Sequence, residues 1–220
     1  MWRTASLTVL AALLAYAASA WLTMDFNVWT AEGARRLHVA RAKVPAPSVA
    51  LRGPGIDATL PALLKRDGQV TIIDFVYTRC TTVCLALGST FQQMQSTLAA
   101  LPRLDRAAAP RVQLLSISFD PEHDTTAVLA AYAKGLNADP ARWRFAAPVD
   151  SDGLTKLLAS FEVVVIPDGM GGFEHNAALL VVDAHGHLVR IFDYAEMEAA
   201  LAYAQYLSTQ SAPASQKAAG

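Results

Sequence analysis

The 220-residue chain contains two cysteines, Cys80 and Cys84, and five histidines, His38, His123, His175, His185 and His187. The cysteines lie in Phe75-Val76-Tyr77-Thr78-Arg79-Cys80-Thr81-Thr82-Val83-Cys84. Residues four apart share a face once a helix has begun. A helix N-terminus also favours thiolate, through its free N–H groups and its dipole. Thiolate is both a nucleophile and a soft metal ligand, so the pair suits thiol–disulfide chemistry and copper binding alike. A purely stabilising disulfide is a poor explanation, because so short a loop removes little entropy from the unfolded chain. The redox motif of thioredoxin has two residues between its cysteines, and here there are three. That argues against a standard thioredoxin and leaves metal binding open.

The elements that must position the pair follow from periodicity. An apolar, β-branched run at 70–77 (VTIIDFVY) predicts a buried strand ending at the cysteine segment. A helix is expected at 84–101, where Leu85, Leu87, Phe91, Met94, Leu98 and Leu101 recur at near-helical spacing. Residues 111–119 read as a strand, and 125–136 as a helix capped by Asp124 or Thr125 with Gly135 near its end. A short strand is expected at 144–147, then a helix at 154–161 with capping residues between Asp150 and Asp152. Strands at 178–182 and 188–192 flank a turn at Gly186 and predict a hairpin, and a helix at 195–207 closes the domain. This order predicts a thioredoxin-like α/β fold, a central mixed sheet flanked by helices.

Residues 4–24 carry no charge, with Arg3 before them and Asp25 after. Twenty helical residues span roughly 30 Å, the thickness of a bilayer core. Residues 1–24 therefore read either as a signal anchor or as a signal peptide cleaved after Ala18-Ser19-Ala20. Both readings place the remainder in an oxidising, extracytoplasmic space, most simply a bacterial periplasm beside the inner membrane. Residues 25–47 predict an extended tether ending in Pro45-Ala46-Pro47, residues 48–207 the domain, and 208–220 a loose tail. Eighteen basic against nineteen acidic residues give a net charge of −1, so no nucleic-acid partner is expected. The 53% hydrophobic content excludes wholesale disorder.

Three blocks, in order, carry a family resemblance. The first is the segment from Phe75 to Cys84; the second is Ser116-Ile117-Ser118-Phe119-Asp120-Pro121-Glu122-His123-Asp124-Thr125. The third is Phe173-Glu174-His175-Asn176, followed by Leu180-Val181-Val182-Asp183 and Gly186. Together they resemble the Sco/SenC family of copper proteins that assemble cytochrome c oxidase. The resemblance covers about residues 48–207. It implies that Cys80, Cys84 and His175 bind one copper ion, as Cu(I) or Cu(II). Two thiolates suit Cu(I), and imidazole suits both oxidation states. Thr81 and Leu85 follow the cysteines where the family usually has a proline after one of them, and Asn176 stands where serine or threonine is common.

The remaining candidates are weaker. Asp120 ends its strand, where it either supports the site or only shapes the Asp-Pro turn. Gly169-Met170-Gly171-Gly172 is expected as a flexible loop that carries His175 towards the cysteines. Met170 is a lone soft sulfur in that loop. His185 and His187 read as a polar hairpin tip, and His123 and His38 as solvent-facing.

The resemblance implies a membrane-tethered metallochaperone serving cytochrome c oxidase subunit II or another copper-receiving protein. The alternative is a periplasmic thiol–disulfide oxidoreductase whose Cys80 and Cys84 act on the cysteines of a copper protein and exchange with periplasmic thiol reductants. A peroxiredoxin-like peroxidase is disfavoured, because no Pro-x-x-x-Thr-x-x-Cys motif leads to Cys80. A closed zinc site needs four ligands, and three good ones are evident.

Overall fold

The structure, a computed structural model, describes residues 2–65, 68–80, 83–100 and 111–210, with backbone alone for residues 3 and 83–86. At its centre lies β4 (Val70–Val76), every residue of which is buried. It pairs in parallel with β5 (Val112–Ser118), which pairs in parallel with β6 (Trp143–Pro148). Strands buried on both faces read as continuous apolar runs, which is why 70–77 and 111–119 were legible. On its other side β4 pairs antiparallel with β9 (Ala178–Val182), which forms the expected hairpin with β10 (His187–Asp193). Gly186 turns that hairpin at φ 82°, a left-handed conformation that glycine adopts without strain.

Three short strands complete the eight-stranded sheet. β1 (Val44–Pro45) pairs with β10 at one edge; at the other, β2 (Ala50–Gly53) joins β6 and carries β3 (Ile56–Thr59) outside it. Pro45 is tolerated because β1 is an edge strand, where a missing N–H costs no ladder bond. A separate two-stranded ribbon, β7 (Val165–Pro167) with β8 (Phe173–His175), stands apart from the sheet. The parallel centre closed by an antiparallel hairpin is the thioredoxin-like arrangement expected from element order.

Helices cover both faces. On one lie α4 (Val83–Ala100), α5 (Thr126–Gly135) and α7 (Met197–Gln210), which bury Leu87, Phe91, Met94, Leu129, Ala200 and Ala204 against Val70, Ile72, Leu114 and Trp143. Each fully buried large apolar side chain contributes roughly 1.5–3 kcal/mol. On the other face lie α3 (Leu60–Lys65) and α6 (Ser151–Ser160), with Leu63, Leu64, Leu157 and Phe161 packed on Ile73, Phe75 and Ile117. Asp150 caps α6 by accepting the Gly153 N–H at 2.7 Å, and Thr125 caps α5.

Two expectations need correction. The stretch 25–47 is not an extended tether, because it holds α2 (Ala31–Ala42) and β1 docked on the domain. Arg35 is 5% exposed, binds Glu32, and donates to the Phe161 carbonyl at 3.0 Å. Arg36 reaches Glu196 at 3.1 Å, and Val39 is buried in the core. The apolar periodicity of α2 is faint, since polar contacts rather than a stripe hold it, and so it was missed. The tail also starts later than 208, since α7 continues to Gln210; residues 211–220 lie outside the described ones. The remaining N-terminal helix, α1 (Trp2–Leu22), has no buried residue among those described and is long and apolar enough to cross a membrane.

Candidate metal centre

Cys80 sits in the loop between β4 and α4, and it is 6% exposed. Its N–H bonds the Tyr77 carbonyl at 3.1 Å, so the chain turns tightly as it leaves the strand. Cys84 is the second residue of α4, as the sequence predicted; its side chain lies outside the described residues. Its backbone position is in the first helical turn, where dipole and unpaired N–H groups favour thiolate.

The loop is fastened from the β5–α5 connection. Asp124 is 1% exposed and accepts three hydrogen bonds, from Thr78 N–H at 3.0 Å, Thr78 Oγ1 at 2.5 Å and Ser118 Oγ at 2.6 Å. Hydrogen bonds to a charged acceptor contribute about 1.5–3 kcal/mol each. Asp120 accepts from Arg79 Nη2 at 2.6 Å, and that bond is the main reason the Arg79 pKa is raised further. Its own N–H and carbonyl shape the turn: Asp120 N–H donates to Ser118 Oγ, and its carbonyl accepts from Asp124 N–H. Asp120 shapes the Asp-Pro turn and clamps the residue before Cys80. Asp124, seen in the sequence only as a helix cap, is the stronger anchor.

His175 ends β8, half-buried, and burial lowers its pKa, which keeps the imidazole neutral and its lone pair available. Tyr77 determines where this ribbon lies. Its hydroxyl donates to the Phe173 carbonyl at 3.3 Å and accepts the Phe173 N–H at 3.2 Å. The rings of Tyr77, Phe119 and Phe173 pack mutually, and Phe119 meets His175 edge-on at 5.1 Å. Phe119 N–H also bonds the Val76 carbonyl. The ends of β4 and β5 thus hold His175 and the cysteine loop through one aromatic cluster. Among the described residues no three His, Cys, Asp or Glu side chains form a metal cage, Cys84 lying outside that description.

Asp168 closes the glycine-rich loop into a tight turn between β7 and β8. Asp168 Oδ1 accepts from Met170 N–H at 2.7 Å and Gly172 N–H at 2.9 Å, and these bonds lower its pKa. A Cβ on Gly172 would meet Asp168 Oδ2 at 2.5 Å and the Tyr77 hydroxyl at 3.1 Å, so a side chain there would displace the Asp168 carboxylate and crowd the Tyr77 hydroxyl that bonds Phe173. Asn176 closes the ribbon's base, accepting from Val164 N–H at 2.8 Å and donating to the Glu162 carbonyl at 3.1 Å. Met170 is exposed at the tip. His185 lies at the β9–β10 turn, where Asp183 Oδ1 accepts from the N–H groups of His185 and His187. His123 and His38 are exposed.

Comparison with known proteins falls on this site. The SCO1/SenC family profile matches residues 64–208, which takes in all three candidate ligands. The chain belongs to the SCO1/SenC family. A curated relative, the SCO1 protein homolog of Bacillus subtilis, is 25% identical over 131 residues, covering 59% of this chain and 64% of the relative. The match thus spans just under two thirds of that relative's length. Bradyrhizobium japonicum ScoI, solved with copper bound, is 24% identical at a TM-score of 0.59, covering 74% of this chain and 99% of that one. BsSco, a Sco-family cytochrome c oxidase assembly protein solved in connection with a disulfide switch, is 20% identical at a TM-score of 0.62, covering 76% and 94%. At these identities the structural likeness establishes the Sco fold.

Proposed function

We propose that this SCO1/SenC chain is a membrane-anchored copper carrier in which Cys80, Cys84 and His175 hold one copper ion for transfer to cytochrome c oxidase subunit II or a similar copper-receiving protein. The observation that carries the reading is the Tyr77 hydroxyl, which bonds both backbone groups of Phe173 and so fixes the histidine ribbon to the end of the cysteine strand. Two thiolates and a neutral imidazole fit copper in both common oxidation states. A three-ligand set leaves a position open, which suits a cargo that must leave. α1 supplies the anchor, with the domain on the periplasmic side, where the cysteines meet an oxidising environment.

The test is copper titration of the reduced full-length protein in detergent. One copper per chain is expected, with a thiolate-to-Cu(II) charge-transfer band. Removing both cysteines abolishes binding, and His175→Ala weakens Cu(II) more than Cu(I). Unchanged Cu(II) affinity in His175→Ala takes that histidine out of the site.

A second reading, thiol–disulfide exchange by Cys80 and Cys84, is supported by the helix-terminal position of Cys84 and by the disulfide switch named for BsSco. The two readings share the same sulfurs, so oxidation expels copper and reduction restores binding. Full copper retention by a protein with no free thiols would remove the shared site.

A further inference from the structure

The span that follows α1 carries aromatic side chains that the domain core does not use. Trp21 is 80% exposed and Trp29 73%, and Met24 and Phe26 between them are exposed as well, whereas Trp143 of the domain is buried. The chain does not run off the end of α1 as a linker. Met24, Asp25 and Phe26 take successive left-handed conformations, with φ of 48°, 60° and 62°, which L side chains rarely adopt. Thr23 holds the turn: its hydroxyl donates to the Ser19 carbonyl at 2.6 Å and accepts the Phe26 N–H at 3.1 Å.

The turn sends Phe26 back along α1, where its ring meets Tyr16 with centroids 5.4 Å apart. At 1.5 Å rise per residue, Tyr16 lies roughly 9 Å before the helix ends at Leu22. Trp29 continues the row, its ring 6.0 Å from Phe26 and its indole N–H donating to the Phe26 carbonyl at 3.0 Å. What covers this row follows from its continuity with α1, which is long and apolar enough to cross a bilayer. Rings with an apolar body and a polar N–H or O–H favour the headgroup layer, which is the character of Trp21 and Trp29. Arg41 of α2 shares a recess of about 530 Å³ with Trp21, Leu22, Met24 and Asp25. Arg41 has no ion pair among the described residues, unlike Arg35 and Arg36 of the same helix. The recess thus offers a cation to a lipid phosphate and, in Asp25, an anion to the cationic end of a zwitterionic headgroup.

We propose that residues 21–29 form an aromatic collar seated in the lipid headgroup layer at the outer end of α1, and that this collar holds the domain directly against the bilayer. This rests on reading α1 as the membrane anchor. Thr30, beside Trp29, caps α2 by accepting the Gly33 N–H at 3.0 Å, and α2 is fastened to the domain through Arg35 and Arg36. The lipid-facing row therefore passes into the docked helix with no intervening linker. The domain gives up the reach of a flexible tether for a fixed height above the membrane.

The test uses the full-length protein reconstituted in phosphatidylcholine vesicles, with Trp2→Phe and Trp21→Phe leaving Trp29 and buried Trp143 as fluorophores. Lipids brominated near the headgroup should quench about half of the Trp29 emission, and lipids brominated near the chain ends should quench less. Adding Trp29→Phe leaves the Trp143 signal alone and should remove the quenching. Protein that floats with the vesicles while its Trp29 is untouched by either bromolipid overturns the proposal. Acrylamide in the water then tells why: a shielded Trp29 means that a second copy of the chain covers the row, and an accessible one means that the row faces water. If the wild-type protein did not float with the vesicles at all, the anchor reading itself would fall, and the proposal with it.

Discussion

Replacing Asp74 by asparagine removes a charge that the fold buries with little compensation, and its effect on stability follows from linkage. In the unfolded chain the carboxyl titrates at the ordinary 3.8; in the fold, burial raises it to about 7. A folded pKa above the unfolded one means that stability is fully present below pH 3.8 and is lost as pH rises towards 7. At about 1.4 kcal/mol per pH unit, the three-unit gap costs the wild-type domain about 4 kcal/mol at pH 9. The same relation gives about 2 kcal/mol at pH 5 and almost nothing at pH 3. Asparagine imitates the neutral acid and has no such dependence. Urea unfolding of the detergent-solubilised protein, followed by the fluorescence of buried Trp143, measures the difference at each pH. The variant should match the wild type at pH 3 and exceed it increasingly up to pH 9. A difference that does not change with pH would refute the linkage, and with it the claim that Asp74 is charged in the fold above neutral pH.

Other contacts lead to separate expectations. Asp124→Ala leaves Thr78 N–H, Thr78 Oγ1 and Ser118 Oγ without their shared acceptor; it should cost about 3 kcal/mol in denaturant unfolding and broaden the Cu(II) charge-transfer band. Tyr77→Phe removes both bonds to the Phe173 backbone; it should cost about 1 kcal/mol and weaken Cu(II) more than Cu(I) in titration, because the histidine ribbon loses its fastening. Arg35→Ala breaks the link from α2 to the Phe161 carbonyl, and amide hydrogen exchange should speed up in α2 while the β4 amides stay protected.

The central strands were legible because both their faces are buried. Residues 70–77 and 111–119 are mostly apolar and β-branched, and the observed strands differ from them by a residue at most at each end. The β9–β10 hairpin was legible through Gly186, whose positive φ leaves a clear mark in sequence. What escaped was held by polar contacts. α2 docks through Arg35 and Arg36, and a charged helix after a long apolar segment looks like a solvated linker. β2 and β3 are four residues each, too short for alternation to be distinctive. At the site, residue types pointed to the cysteines and the family resemblance to His175, but neither to how they are held. The grip of Asp124 on Thr78 spans 46 positions, and that of Tyr77 on Phe173 spans 96, so neither has a local signature.

Two of the buried aspartates, Asp74 and Asp124, show how differently the fold treats the same side chain. Asp124 accepts three hydrogen bonds, so its charge is matched and fixes the chain before Cys80. Asp74 is equally buried and has none, although Ser116 stands across the ladder from it. An apolar residue of similar size at position 74 would suit a strand whose other residues are mostly aliphatic or aromatic, and it would avoid a penalty of about 4 kcal/mol at high pH. Local rules for a stable core are broken there, two residues before β4 ends. Such violations concentrate where function needs them.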